Sequence, residues 1–258
     1  MGARAKRRAA FFAEHPVCCF CAGAAPAVEE DHQPGRVFFR NREWPEGFAF
    51  PACEACNRVS KKAENVSSIL ISDTKTDAGL MAYRARIEHV RLNYPEFLPN
   101  VQVNTNRKRD VLKRIGVEKP AGLAYADLPI ASIDPDVWMP ELRLLGRKLF
   151  LALFYQTFKK PMPLSGGIWF EVRSNADNPN EDFIQAISAL GGNTLAPVRS
   201  TQPLGDQLGI RWSASPEPNI ALYLVGLQKM IYFGGFVAED AETLNLGNVT
   251  LERPFVWP

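Results

Sequence analysis

The spacing of apolar and polar positions changes character several times along the chain. Residues 1–15 read as a short basic helix with Phe11 and Phe12 on its inward side, and residues 17–60 are turn-rich without sustained periodicity. From Glu54 to about Leu70 the pattern turns helical. A second amphipathic helix is predicted over Thr76 to Leu92, where Leu80, Tyr83, Ile87 and Val90 recur at helical spacing. Pro95 and Pro99 end it, and a short basic helix is expected around Arg107 to Arg114 with Val111, Leu112 and Ile115 on one side. Residues 117–140 hold Pro120, Pro129, Pro135 and Pro140, show little periodicity, and read as a connector. A long helix is predicted from Pro140, as its first residue, to Lys160, with Pro161 and Pro163 stopping it. The remainder alternates. Gly167 to Arg173, Leu208 to Ala214, Ile220 to Val225 and Met230 to Val237 are strand-like, and Asn180 to Leu190 is helical up to Gly191-Gly192. The pattern therefore predicts an α+β protein in three segments: 1–116, a linker over 117–139, and an α+β unit over 140–258 to which no chemistry is assigned.

Composition changes this picture little. Of 258 residues, 46% are hydrophobic and 22% charged, as in an ordinary globular chain. No apolar run reaches the roughly 18 residues of a membrane helix, because the longest, Leu142 to Phe158, is interrupted by Arg143, Arg147 and Lys148. The basic N-terminus (Arg4, Lys6, Arg7, Arg8) is not followed by the apolar stretch of a secretory signal, so a cytoplasmic location is expected. Charge adds more. Residues 1–119 carry 20 Lys and Arg against 14 Asp and Glu, a net of +6, and residues 120–258 carry 10 against 14, a net of −4. Any polyanionic partner, nucleic acid above all, is expected on the first half.

The cysteines sharpen the reading. All five lie between Cys18 and Cys56, an odd and clustered set that argues for a metal rather than disulfides. Cys18-x-x-Cys21 and Cys53-x-x-Cys56 are two CxxC pairs, and two such turns complete a tetrahedral four-thiolate zinc site. Cys19-x-Cys21 is the alternative first pair, but one intervening residue makes a poor chelate loop, so Cys18 is expected as the ligand.

Between the pairs stands Asp31-His32-Gln33-Pro34, and Asn57 directly follows the second pair. The order Cys-x-x-Cys, Asp-His-x-Pro, Pro-Ala-Cys-x-x-Cys-Asn over about residues 17–66 resembles the HNH nucleases, in the treble-clef form with four structural cysteines. The resemblance implies a ββα-metal fold, with His32 as general base and Asp31 and Asn57 as ligands of a catalytic Mg2+ or Mn2+. The chemistry of the residues agrees: an imidazole titrates near neutrality, and hydrolysis of a phosphodiester needs a deprotonated water. A carboxylate and an amide oxygen suit a hard divalent ion. The stretch Trp44 to Phe50 lacks the middle Asn usual in the family. Arg36, Arg58 and Lys61 are candidate phosphate ligands, with Arg40, Arg42 and Lys62 nearby. The expected function is metal-dependent cleavage of DNA. The alternative is a non-catalytic zinc module that binds nucleic acid or a protein.

Overall fold

A computed structural model of the chain describes residues 2–39, 44–72, 77–114, 118–119, 121–127, 131–175, 204, 207–244 and 250–257. It is a mixed α+β structure built from helices and two antiparallel sheets. The helix expected over 180–190 lies outside the described residues, as do Arg40 and Arg42. No helix among the described residues is long and apolar enough to cross a membrane.

Helix α1 spans Ala3–Glu14. A two-stranded sheet follows, β1 (Glu29–His32) against β2 (Ala49–Ala52), with Asp31 opposite Phe50 and His32 opposite Ala49. Helices α2 (Glu54–Val59) and α3 (Lys61–Ser67) replace the single helix expected from Glu54 to Leu70. The break falls at Ser60, which ends one helix and begins the other. Its hydroxyl donates to Glu64 Oε1 at 2.7 Å and accepts from Lys148 at 2.7 Å, so a polar anchor fixes the joint. Helices α4 (Asp77–Asn93) and α5 (Thr105–Arg114) stand where their periodicity and basic run place them.

Helix α6 runs from Pro135 to Phe158, five residues earlier than the expected start at Pro140. Asp134 is its N-cap, accepting from the Asp136 N–H at 3.0 Å, and Pro135 occupies the first turn, where a missing N–H costs nothing. Pro140 therefore sits inside the helix, where it leaves the Asp136 carbonyl without an intrahelical donor. The helix closes at Lys159 in the left-handed conformation (φ 57°), just before Pro161.

Strands β3 (Gly167–Ser174), β4 (Leu208–Ser215), β5 (Ile220–Leu227) and β6 (Ile231–Ala238) form an antiparallel sheet in the order β3-β6-β5-β4. Alternation along β5, where Ala221, Tyr223, Val225 and Leu227 are buried, turns one face toward α6. Tyr223 donates from its hydroxyl to the Leu153 carbonyl at 3.1 Å, fastening sheet to helix. Gly146 lets the two approach closely, since a Cβ there would stand inside the Phe170 ring. Gly146→Ala is accordingly expected to destabilise the protein. The gain in helix propensity is about 1 kcal/mol and overpacking costs about 1–3 kcal/mol, so a lowered urea midpoint at unchanged slope is the expected result.

The buried core does not divide at residues 117–139. One apolar cluster joins the cysteines, Phe20, Phe38 and Phe50 to Leu149, Phe150 and Phe154 of α6 and to Ile168, Val225 and Phe233 of the sheet. A second cluster joins Val66, Ile69, Val90 and Phe97 to Trp138 and Leu142 at the start of α6. The tail also returns to the cysteines. Phe255 N–H donates to the Phe20 carbonyl at 2.9 Å, and the Trp257 indole N–H donates to Cys56 Sγ at 3.1 Å.

Candidate active site and metal centre

Cys18, Cys21, Cys53 and Cys56 are buried, and their sulfurs all lie within 4.8 Å of one another, a group that could hold a metal ion such as zinc. The first pair sits on a tight knuckle. Gly23 N–H donates to the Cys18 carbonyl at 3.1 Å and Ala24 N–H to the Cys21 carbonyl at 2.9 Å, with Ala22 and Gly23 at φ 54° and 75°. The second pair opens α2, with Cys53 as N-cap, its sulfur accepting the Cys56 N–H at 3.4 Å. The Phe20 N–H likewise reaches Cys18 Sγ at 3.4 Å. Cys19 is outside the group. Its N–H binds the Pro51 carbonyl at 2.9 Å, tying knuckle to β2, and burial pushes its thiol well up.

Cys18 and Cys21 do not ionise together unaided. The Cys56 thiol, together with backbone donors, holds Cys18 down to about 5, whereas burial and then the Cys18 charge push Cys21 up to about 11. A divalent cation removes that conflict by accepting all four thiolates.

The hairpin presents its two motif residues to opposite faces, because successive side chains along a strand alternate. His32, half-buried, packs edge-on against Trp44, with ring centroids 4.7 Å apart. The Arg36 guanidinium lies over the Trp44 ring at 3.3 Å and reaches His32 Nε2 at 2.6 Å. A guanidinium can only donate, so Nε2 is the acceptor and Nδ1 carries the proton. Burial first, then the charges of Arg36 and Arg7, lower the His32 pKa from 6.5 to about 4. The ring is therefore neutral at pH 7. It binds its proton less readily in the fold than in the unfolded chain. It thus leaves stability unchanged above about pH 6.5 and withdraws stability as pH falls from there toward 4. An NMR titration of the imidazole Cε1–H is expected to give a midpoint near 4. Arg36→Ala should move that midpoint upward; a midpoint near 6.5 in the unaltered protein would contradict the arrangement.

Asp31 points the other way and is only 6% exposed. Lys148 of α6, with no exposed surface, places its ammonium 2.5 Å from Asp31 Oδ2, and Gln33 Nε2 donates to Oδ1 at 3.2 Å. Burial pushes the Asp31 carboxyl up, and Lys148 opposes that shift most strongly. The contact geometry supports an ion pair. Removing either partner would strand a buried charge at a cost of about 3–5 kcal/mol. Asp31, which the resemblance implies as a ligand of a catalytic Mg2+ or Mn2+, thus accepts from Gln33 at one oxygen and faces the Lys148 ammonium with the other.

Asn57 lies one turn into α2, half-buried, its N–H bonded to the Cys53 carbonyl at 3.0 Å. It does not cap the helix, since Cys53 does. Helix α2 packs against β1, so Asn57 belongs to the element beside the hairpin. Of the expected phosphate ligands, Arg36 is gathered to His32. Arg58 is exposed and ion-paired with Glu54 one turn earlier, and Lys61 is exposed at the start of α3. Lys62 is tied to Glu141 of α6 at 2.9 Å. Sequence reasoning missed Lys148, whose one signal was a charge inside an apolar helix, and Trp44, noted only as part of a stretch lacking Asn.

No protein-family model matches the chain, and no match is found among curated proteins or solved structures.

Proposed function

We propose that this chain is an HNH-type endonuclease of the treble-clef form that hydrolyses phosphodiester bonds in DNA. Zn2+ held by Cys18, Cys21, Cys53 and Cys56 is its structural ion. The observation that carries the reading is the His32–Arg36–Trp44 constellation on a ββα unit whose helix begins at the second cysteine pair. An ionisable base with a lone pair at Nε2 stands beside a guanidinium able to grip a phosphate. In the free protein Arg36 caps that lone pair. An arriving phosphate diester draws the guanidinium onto its own oxygens and frees Nε2 to take a proton from water. The hydroxide attacks phosphorus, the ester P–O bond breaks, and the leaving oxygen takes a proton from solvent. Arg36 balances the charge that builds on the phosphoryl oxygens. Arg58 and Lys61 extend the basic surface along α2 and α3. No step is routed through a divalent ion, because the carboxylate expected to bind it is engaged elsewhere.

The second reading, a zinc module that binds nucleic acid or a protein without cleaving, draws support from that same engaged carboxylate and from the missing Asn in residues 44–50. Incubation of the zinc-loaded full chain with supercoiled plasmid and with single-stranded DNA and RNA separates the two. Nicking supports the nuclease; binding without any cleavage favours the module. Arg36→Ala is expected to weaken cleavage by at least tenfold and to raise the pH at which His32 titrates, which an electrostatically idle arginine would not do.

A further inference from the structure

We infer that Lys148 is the resident cation of the candidate site, filling the place beside Asp31 that a catalytic divalent ion would otherwise take. The inference rests on the nuclease reading only in calling the site catalytic.

Lys148 opens a run of buried residues that continues to Phe154, and is itself fully buried. A lone ammonium in such surroundings is costly, and it persists only where charge and hydrogen bonds compensate it. Here they come from three separate parts of the chain. β1 supplies Asp31 Oδ2 at 2.5 Å, the joint between α2 and α3 supplies the Ser60 hydroxyl at 2.7 Å, and the cysteine knuckle supplies the face of Phe20 at 5.2 Å. Glu64, bonded to Ser60, adds a second carboxylate whose burial raises its pKa and whose strongest opposing influence is again Lys148. The Asp31 charge is thus balanced by a group that the C-terminal half delivers on α6. A divalent ion seeking that carboxylate would have to displace a fully buried ammonium.

Two consequences follow. The protein has no Asp31-dependent divalent site, and the hairpin of the N-terminal segment is electrostatically incomplete without α6. Manganese binding tests the first directly and needs no activity. The full zinc-loaded chain, freed of other divalents, is titrated with Mn2+ while the free-ion signal is followed by electron paramagnetic resonance. The wild type and the neutral pair Asp31→Asn with Lys148→Met, which removes both partners of the ion pair together, are expected to titrate alike. Lys148→Met alone is expected to gain at least tenfold in Mn2+ affinity, and adding Asp31→Asn to it should remove that gain. A tenfold or greater loss of Mn2+ affinity in the neutral pair relative to wild type overturns the inference. So does a folded Lys148→Met that gains nothing. Should Lys148→Met not fold, the comparison of wild type with the neutral pair decides alone. Cleavage or its absence does not enter this readout, so the inference and the nuclease reading fail separately.

Discussion

Cys53→Ser is expected to lose metal and tertiary structure together, the largest effect of any single substitution discussed for this chain. A structural zinc in a small site contributes on the order of 10 kcal/mol, which is comparable with the whole stability of a typical domain, about 5–15 kcal/mol. The local fold has little else to replace it. Among the described residues between Cys18 and Cys56, regular structure amounts to two four-residue strands, a 3-10 turn and the first residues of α2. Cys53 is also the N-cap of α2, and the cysteines sit inside the apolar cluster that includes Leu149, Phe150 and the sheet. Unfolding of the knuckle therefore removes one wall of the main core. The contact from the Trp257 indole to Cys56 Sγ makes tryptophan fluorescence a direct reporter of that loss. Zinc content by elemental analysis, circular dichroism and thermal unfolding measure the rest. A stable, metal-free Cys53→Ser protein with native dichroism would show that the four cysteines are ordinary core residues.

His32→Ala is expected to reduce cleavage by roughly 100- to 10,000-fold, the usual worth of a positioned general base, while zinc content and dichroism stay as in the wild type. The ring is half-buried at the end of β1, packed on Trp44 and facing Arg36. Its removal opens space at the surface and leaves no charge stranded. This contrasts with Asp31→Ala, which strands Lys148 inside the core and should fail as a folding variant before its chemistry can be read. With its low pKa, His32 should stay an unprotonated base well below pH 6.5, so cleavage should persist into mild acid where an unperturbed histidine would already be charged. Plasmid nicking by wild type and His32→Ala between pH 5 and 8 tests both statements. A folded His32→Ala that nicks as fast as wild type removes the mechanism proposed above and leaves the binding module as the better reading.

Lys148 bears on how the two segments are related. The charge asymmetry and the prolines of 117–139 suggest a modular chain, yet α6 contributes to both apolar clusters and to the hairpin's buried ion pair. The return of Phe255 and Trp257 to the knuckle adds a further tie between the last residues and the cysteines.

Much of this was legible in the order of residues. Two CxxC pairs state their own partnership, because thiolates at that spacing have few other uses, and the four sulfurs do converge. The strands β3 to β6 and helices α1, α4 and α5 follow from periodicity and punctuation, which are local properties. The start of α6 was open to misreading because the chain offers two prolines five residues apart. Only the Asp134 side chain, bonded to Asp136 N–H, decides for Pro135. The joint at Ser60 is fastened locally by Glu64 and also by a lysine 88 residues away, a contact that no local pattern announces. Adjacent Asp31 and His32 read as one catalytic pair in the sequence. The pleat of β1 sends them to opposite faces, so that one meets an arginine and a tryptophan near the surface and the other a buried lysine. Sequence alone determined which residue types stand at the site. Which of them share an environment was decided by the packing of α6 against the hairpin, a long-range contact that no local pattern encodes.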